Sequence, residues 1–319
     1  MTLKTGALLG AAALVAGALG FAAPATAQAT RTWVSGVGDD LNPCSRTAPC
    51  RTLGEALSKT AAGGEINCLD PATFGPFTIT KSVSIICDGV PGGIHVEFDD
   101  TDQFAAIIVD AGATDSVLLS GINLRGNMRA GQGGIQLNSG GALHVRNSTI
   151  HSLGGSGVAI LGASTVVLEN IALNNVVEGV AVHPLSGGTV NFGISNVQMT
   201  NLVFNGISIA SLPATASVKG TMSDSLIGAS RYDPSHGISV EASSGQVRLS
   251  VERSLISGQE LAGIHAEGSG AAITVSDSVI SHNSVGLNAQ NGAALVSFGG
   301  NILVGNTDNG SFTGTNLKK

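Results

Sequence analysis

Aromatic residues and charge are what this chain has least of. Tryptophan and tyrosine occur once each; aromatics make up 3% and charged residues 12% of the 319 residues. Such sparse charge beside 43% hydrophobic residues excludes an intrinsically disordered chain, which is rich in charge and poor in apolar side chains. It also excludes a coiled coil or long helical bundle, which needs abundant Glu, Lys and Leu. Collagen fails because glycine shows no period of three. The scarcity of flat aromatic faces counts against a processive polysaccharide enzyme with many subsites. Basic residues are few, 15 against 22 acidic, for a formal net charge of −7. The basic footprint that nucleic acid demands is therefore missing.

What is abundant is glycine, with 45 residues, about twice the usual share. Glycine followed by alternating aliphatics recurs at Gly134, Gly157, Gly179, Gly206, Gly237, Gly263 and Gly286, at spacings of 23, 22, 27, 31, 26 and 23. A second short run follows in each repeat, as in Asn147-Ser-Thr-Ile, Asn170-Ile-Ala-Leu, Asp224-Ser-Leu-Ile and Asp277-Ser-Val-Ile. A third lies between them, as in Ala142-Leu-His-Val and Gln246-Val-Arg-Leu. Apolar residues at every second position mark strands with one buried face. A two-layer sandwich would turn every ~8–12 residues and pair sequence neighbours. Here equivalent positions of successive repeats match, which predicts a solenoid whose strands pair in parallel from coil to coil. About ten coils are expected, spaced ~4.8 Å apart.

The register is readable by residue. Positions one and three after each glycine, such as Ile135/Leu137, Val180/Val182 and Ile264/Ala266, should point inward. Position two, occupied by Gln136, Ala159, Ala181, Ser208, Ser239, His265 and Asn288, should face out. The glycines are expected at corners that need a positive φ or a tight bend. The asparagines Asn147, Asn170 and Asn196 are expected to hydrogen-bond along the rod in a structural role. Pro184, Pro213 and Pro234 fall between strands, where their missing donor is tolerated.

Residues 1–27 read as a secretory signal, with Lys4 as its one charge, an apolar stretch from Gly6 to Ala23, and Ala25-Thr-Ala27 as the cleavage site. Its removal leaves 14 basic and 22 acidic side chains, a net charge of −8. No later segment has the length and apolarity to cross a bilayer. Residues 28–64 are expected to hold an N-terminal strand, a cysteine loop and a capping helix, and residues 65–319 the solenoid. Thr52-Leu-Gly-Glu55 is a capping box opening a short helix with Leu53, Ala56 and Leu57 on its apolar stripe and Gly63-Gly64 at its end. That helix should cover the raw first coil. Four cysteines allow three pairings. Cys44–Cys50, closing a short loop, and Cys68–Cys87, one coil apart, are favoured over a zinc site because no Cys-x-x-Cys occurs. Disulfides fit an oxidising, exported location, periplasmic or extracellular.

The run Trp33-Val-Ser-Gly-Val-Gly-Asp-Asp-Leu-Asn-Pro-Cys44 followed by Ala48-Pro-Cys-Arg-Thr-Leu-Gly-Glu-Ala56 resembles the opening of secreted bacterial right-handed parallel β-helix proteins of the pectate-lyase-like superfamily. Gly63-Gly64-Glu-Ile and Val296-Ser-Phe-Gly-Gly-Asn301 are similar to the first and closing coils of such proteins. The resemblance implies an all-β, right-handed, single-stranded parallel β-helix with an N-terminal α-helical cap. It does not fix an activity, because the superfamily mixes lyases, hydrolases, esterases and non-catalytic surface proteins. The ordered motifs of polygalacturonase-like hydrolases are incomplete: Asp99-Asp100 lies too early, and Ser235-His236-Gly237 matches only in part.

Two places could carry chemistry. The longest repeat spacing holds Tyr232-Asp-Pro-Ser-His236, near Glu241, His265 and Glu267. Asp233, His236, Glu241, His265 and Glu267 are the catalytic candidates. Glu241 and Glu267, each four places after a repeat glycine, should stack at ~5 Å, a separation suited to a retaining glycosidase. The competing reading is a solvated ladder of polar corner residues. The second place is Glu97-Phe-Asp-Asp-Thr-Asp102, where Asp99, Asp100 and Asp102 could hold calcium, although the spacing matches no calcium loop. No other cofactor is implied. The sequence therefore points to a non-catalytic envelope or extracellular protein that interacts with polysaccharide or another envelope component. The alternative is a polysaccharide lyase or glycoside hydrolase.

Overall fold

The computed structural model describes residues 28–90, the backbone of 94–96, and residues 104–210, 212–231 and 234–316. The secretory signal (residues 1–27), Asp99, Asp100, Asp102, Tyr232 and Asp233 lie outside the described residues.

The chain winds into a parallel β-solenoid with three faces. Face A starts with strands Ala29–Val34, Thr60–Cys68, Val83–Ile86 and Ser116–Ser120. It continues through the first parts of the long strands Ala142–Ile160, Ser164–Val182 and Gly188–Thr200 to Ala216–Ser223, Gln246–Glu252 and Ala271–Ser276. Face B holds the strands that follow the repeat glycines, from Gly133–Ser139 to His236–Glu241, Ala262–Glu267 and Val285–Gln290. Face C runs from Asn123–Arg125 to Ile302–Val304. Every pairing between these strands is parallel and joins equivalent positions of successive repeats. The two strands of 19 residues pass round corners without a break.

Alternation of side chains builds the core. Leu137, Ile160, Val182, Ile209, Val240 and Ala266 stack coil on coil behind face B. Val145, Leu168, Ile194, Met222, Val251 and Val275 do so behind face A. Leu124, Ile150, Leu173, Met199, Ile227 and Ile256 do so behind face C. All are buried, and each Val, Leu, Ile or Met among them contributes ~1.5–3 kcal/mol. These columns are the inward positions that the sequence pattern picks out.

Three expectations change. Face C carries eight strands among the described residues, so about eight coils are complete rather than ten. In the first coils the third side, Ala72–Phe74 with Ile94–Val96, forms a separate two-stranded sheet. The helix spans Leu53–Lys59 and ends at Thr60, not at Gly63-Gly64, because Thr60 already starts a strand. The repeat glycines do not have positive φ. A Cβ on Gly134, Gly157, Gly179, Gly206, Gly237 or Gly263 would instead lie 2.4–2.9 Å from the carbonyl oxygen of the repeat glycine one coil on. They are glycine because neighbouring coils approach too closely for a side chain.

The left-handed corner conformation falls to the second run. Asn147, Asn170, Asn196, Asp224, Arg253 and Asp277 all have φ between 44° and 54°. Asparagine and aspartate tolerate this region better than other non-glycine residues. Asn170 Nδ2 donates to Asn147 Oδ1 (2.8 Å), and Asn196 Nδ2 to Asn170 Oδ1 (3.1 Å). Asn147 Nδ2 continues the ladder to Asp88 Oδ1 (3.1 Å).

At the N-terminal end Thr52 caps the helix by accepting the N–H of Glu55, and Leu53, Ala56 and Leu57 are buried. The helix packs against Ala29–Val34, Thr60–Cys68 and Phe77–Ile79. Disulfides join Cys44 to Cys50 and Cys68 to Cys87, with Cα–Cα distances of 4.6 and 4.8 Å.

Candidate functional site

Face B collects the polar residues that the sequence singles out. Its outward positions form three columns running along the rod. Just before the repeat glycines stand Glu178, Asn205 and His236; two places after them, Ala181, Ser208, Ser239 and His265; four places after, His183, Glu241 and Glu267. Among the described residues, the connections 183–187 and 212–215 leave the strip on one side and 201–206 and 228–231 approach it on the other.

The middle column departs from the sequence reading. Ala181, Ser208, Ser239 and His265 are only 2%, 6%, 4% and 7% exposed, although they alternate with core residues and point away from the core. A solvated ladder would leave them open. Neighbouring side chains therefore cover this column along four successive coils.

His265 stands in this column and His236 in the one beside it. His236 and His265 stack with ring centroids 4.7 Å apart and planes 13° from parallel. Their strands pair so that His236 lies beside Ala262, and the Ala262 N–H donates to His236 Nδ1 (3.2 Å). The His236 N–H in turn donates to Asn205 Oδ1 (2.9 Å). Burial first, and the neighbouring His265 second, push the His236 imidazole down to about 4. His265 presents Nε2 to Glu267 Oε2 at 3.6 Å, while its Nδ1 is buried with no hydrogen-bond partner.

Glu241 and Glu267 are register partners in adjacent coils. Asn291 Nδ2 donates to Glu267 Oε1 (2.7 Å). Of the candidates, His236, Glu241, His265 and Glu267 therefore share one face. Sequence reasoning missed Glu178, His183, Asn205 and Asn291. The first three occupy the same register columns as His236 and Glu241, and that register could have found them. Asn291 carries no such signal, since its role depends on a corner fold. Among the described residues no group of three or more His, Cys, Asp or Glu is placed to hold a metal ion, and no helix is long and apolar enough to cross a membrane.

A family model described as the right-handed β-helix region matches residues 105–316. The chain belongs to the right-handed β-helix family. Among solved structures this β-helix is similar to a pectate lyase, Pel9A, at 16% identity and a TM-score of 0.61, over 90% of this chain and 78% of that one. It is also similar to an alginate lyase from Paenibacillus sp. str. FPU-7, at 15% identity and a TM-score of 0.51, over 87% of this chain and 97% of that one. At such identities the likeness is one of fold. No curated protein sequence matches the β-helix significantly.

Proposed function

We propose that this β-helix protein is exported and binds polysaccharide along face B without turning it over. One observation carries the reading: polar side chains, Glu178, Asn205 and His236 in one column and His183, Glu241 and Glu267 in another, align in register along one face. A strip of polar groups with a repeat of ~4.8 Å suits an extended chain of repeating units. The carboxylates of Glu178, Glu241 and Glu267 in the columns on either side supply hydrogen-bonding groups. The disulfides fit an oxidising, exported location. That the fold neighbours act on polysaccharides supports the ligand class.

Binding is favoured over catalysis by the state of the titratable groups. A general base must reach a proton on its substrate. His236 Nδ1 is taken by the Ala262 amide and His265 Nδ1 is buried, so neither of these imidazole nitrogens reaches a substrate proton. A second reading, a carbohydrate-active enzyme, is favoured by the register pairing of Glu241 with Glu267. Calcium would enter only in that reading, to bridge an anionic chain.

A panel of polysaccharides, with and without calcium, separates the two by scoring binding and product release together. The expected result is retention without product. Product formation that disappears in Glu241→Gln and Glu267→Gln would establish the enzyme instead.

A further inference from the structure

Face A holds a cleft near its C-terminal end. The cleft has a volume of about 280 Å³ and spans three successive coils. Its walls come from strands Gln246–Glu252 and Ala271–Ser276 and from Phe298, which follows strand Ala294–Ser297. Alternation sends Ser250 and Glu252 outward from the first strand and Thr274 and Ser276 outward from the second. Their register sets Ser250 beside Thr274 and Glu252 beside Ser276. The Phe298 N–H donates to the Val275 carbonyl (2.8 Å), and its half-buried phenyl ring lines one end of this floor of hydroxyls.

The groups left open decide what fits. Thr274 Oγ1 gives its proton to the Leu249 carbonyl (3.4 Å), so Ser250 donates the 2.9 Å bond between the two hydroxyls and Ser250 Oγ keeps its acceptor capacity. Arg253 Nη1 donates to Glu252 Oε2 (3.1 Å) and leaves Oε1 open. Ser276 is only 7% exposed. It lines the cleft, and its hydroxyl has no hydrogen-bond partner among the described residues. A polar group so buried costs stability while unmatched, and a ligand in the cleft would match it.

Charge here is balanced. On these coils and their corners Lys219, Arg248 and Arg253 stand against Asp224, Glu252 and Asp277. Arg253 also holds Asp224 through two bonds, of 2.8 and 2.9 Å. The ligand that meets all these groups is neutral, with one apolar face and a rim of hydroxyls that both donate and accept. A pyranose has that form. Its C–H face can lie on the phenyl ring, while its hydroxyls take the Ser276 proton and donate to Ser250 and Glu252. The volume falls just under the ~300–1,000 Å³ of ligand pockets, which suits a single ring rather than a length of chain.

We propose that this cleft on face A binds one neutral pyranose unit, with Phe298 as its stacking platform and Ser250, Glu252 and Ser276 as its hydrogen-bonding groups. The site lies on a different face from Glu241 and Glu267 and stands independently of the reading of face B.

Saturation-transfer NMR and calorimetric titration of the purified protein test it, with the methyl glycosides of glucose, galactose and mannose and with methyl galacturonide. At least one neutral glycoside is expected to bind, and more tightly than the galacturonide. Its affinity should fall about tenfold or more in Phe298→Ala and severalfold in Ser276→Ala. Phe298→Leu keeps apolar bulk without the flat ring and should lose affinity as Phe298→Ala does. Unfolding midpoints matching wild type keep a loss of affinity from being a loss of fold. The Glu241→Gln/Glu267→Gln double variant should bind as wild type does. Tighter binding of the galacturonide, affinity retained in both Phe298 variants, or affinity lost in the glutamate double variant each overturns the proposal. Failure of every glycoside to bind also overturns it and leaves polysaccharide binding on face B, which is scored on long chains, standing.

Discussion

His236 and His265 lie ring over ring, 4.7 Å apart, and this stack joins neighbouring face B strands of adjacent coils. It also makes stability depend on pH. His236 stays neutral in the fold down to about 4, because burial and then His265 disfavour its charged form. In the unfolded chain it takes up a proton near 6.5. The stability it contributes is full above 6.5 and is lost as pH falls towards 4, at up to ~1.4 kcal/mol per pH unit before discounting for its partial exposure. Urea unfolding at pH 7 and pH 5 should show this drop, and His236→Asn should flatten it. An equal slope in wild type and variant would mean the imidazole does not titrate as described.

The inward register is legible in the sequence because a strand's period of two and coil-on-coil stacking both repeat: Ile207, Ile238 and Ile264 carry the same signal one coil apart. The capping helix is legible because Thr52 and Glu55 stand at the spacing a capping box needs. Buried outward positions are not legible. Ser239 and His265 read as surface residues, yet both are buried. The repeat glycines stand out as a pattern, but the cause does not, because the close approach of Gly206 to the Gly237 carbonyl exists only between coils.

That close approach predicts opposite outcomes for two glycine substitutions. In Gly206→Ala the new Cβ would lie 2.6 Å from the Gly237 oxygen and 2.5 Å from Ile227 Cγ2. Backbone and a core side chain both block it, so a loss of ~1–3 kcal/mol is expected, as for other overpacked sites. Gly54, inside the capping helix, has nothing within 4 Å of its Cβ position. Gly54→Ala should gain ~0.5–1 kcal/mol from helix propensity. Denaturant midpoints of the two variants on either side of wild type would support this; a harmless Gly206→Ala would refute it.

The asparagine ladder can be divided into its conformational and hydrogen-bonding parts. Asn170 sits at φ 54° and bonds to Asn147 and Asn196. Asn170→Ala loses both bonds and leaves a left-handed alanine, which costs ~1–2 kcal/mol for the backbone alone. Asn170→Gly loses the bonds but not the conformation. The alanine variant should therefore be the less stable of the two, by ~1 kcal/mol or more. Equal midpoints would assign the whole effect to the hydrogen bonds.

The Cys68–Cys87 bridge ties together the first coils, where the third side is not joined to the main sheet. It closes a loop with a sequence separation of 19, and Cys44–Cys50 one with a separation of 6. In the chain-entropy account a longer closed loop restrains the unfolded state more, and a loop of this size is worth ~3 kcal/mol. Removal of the longer bridge in Cys68→Ser/Cys87→Ser should cost more than removal of the shorter one in Cys44→Ser/Cys50→Ser. It should also loosen the N-terminal end selectively, since each coil contacts only its neighbours. Amide exchange localises the effect: faster exchange is expected in Val83–Ile86 and Ser116–Ser120, with Ala262–Glu267 unchanged. Uniform acceleration along the rod would show that the coils unfold as one unit and that the bridge stabilises all of them equally.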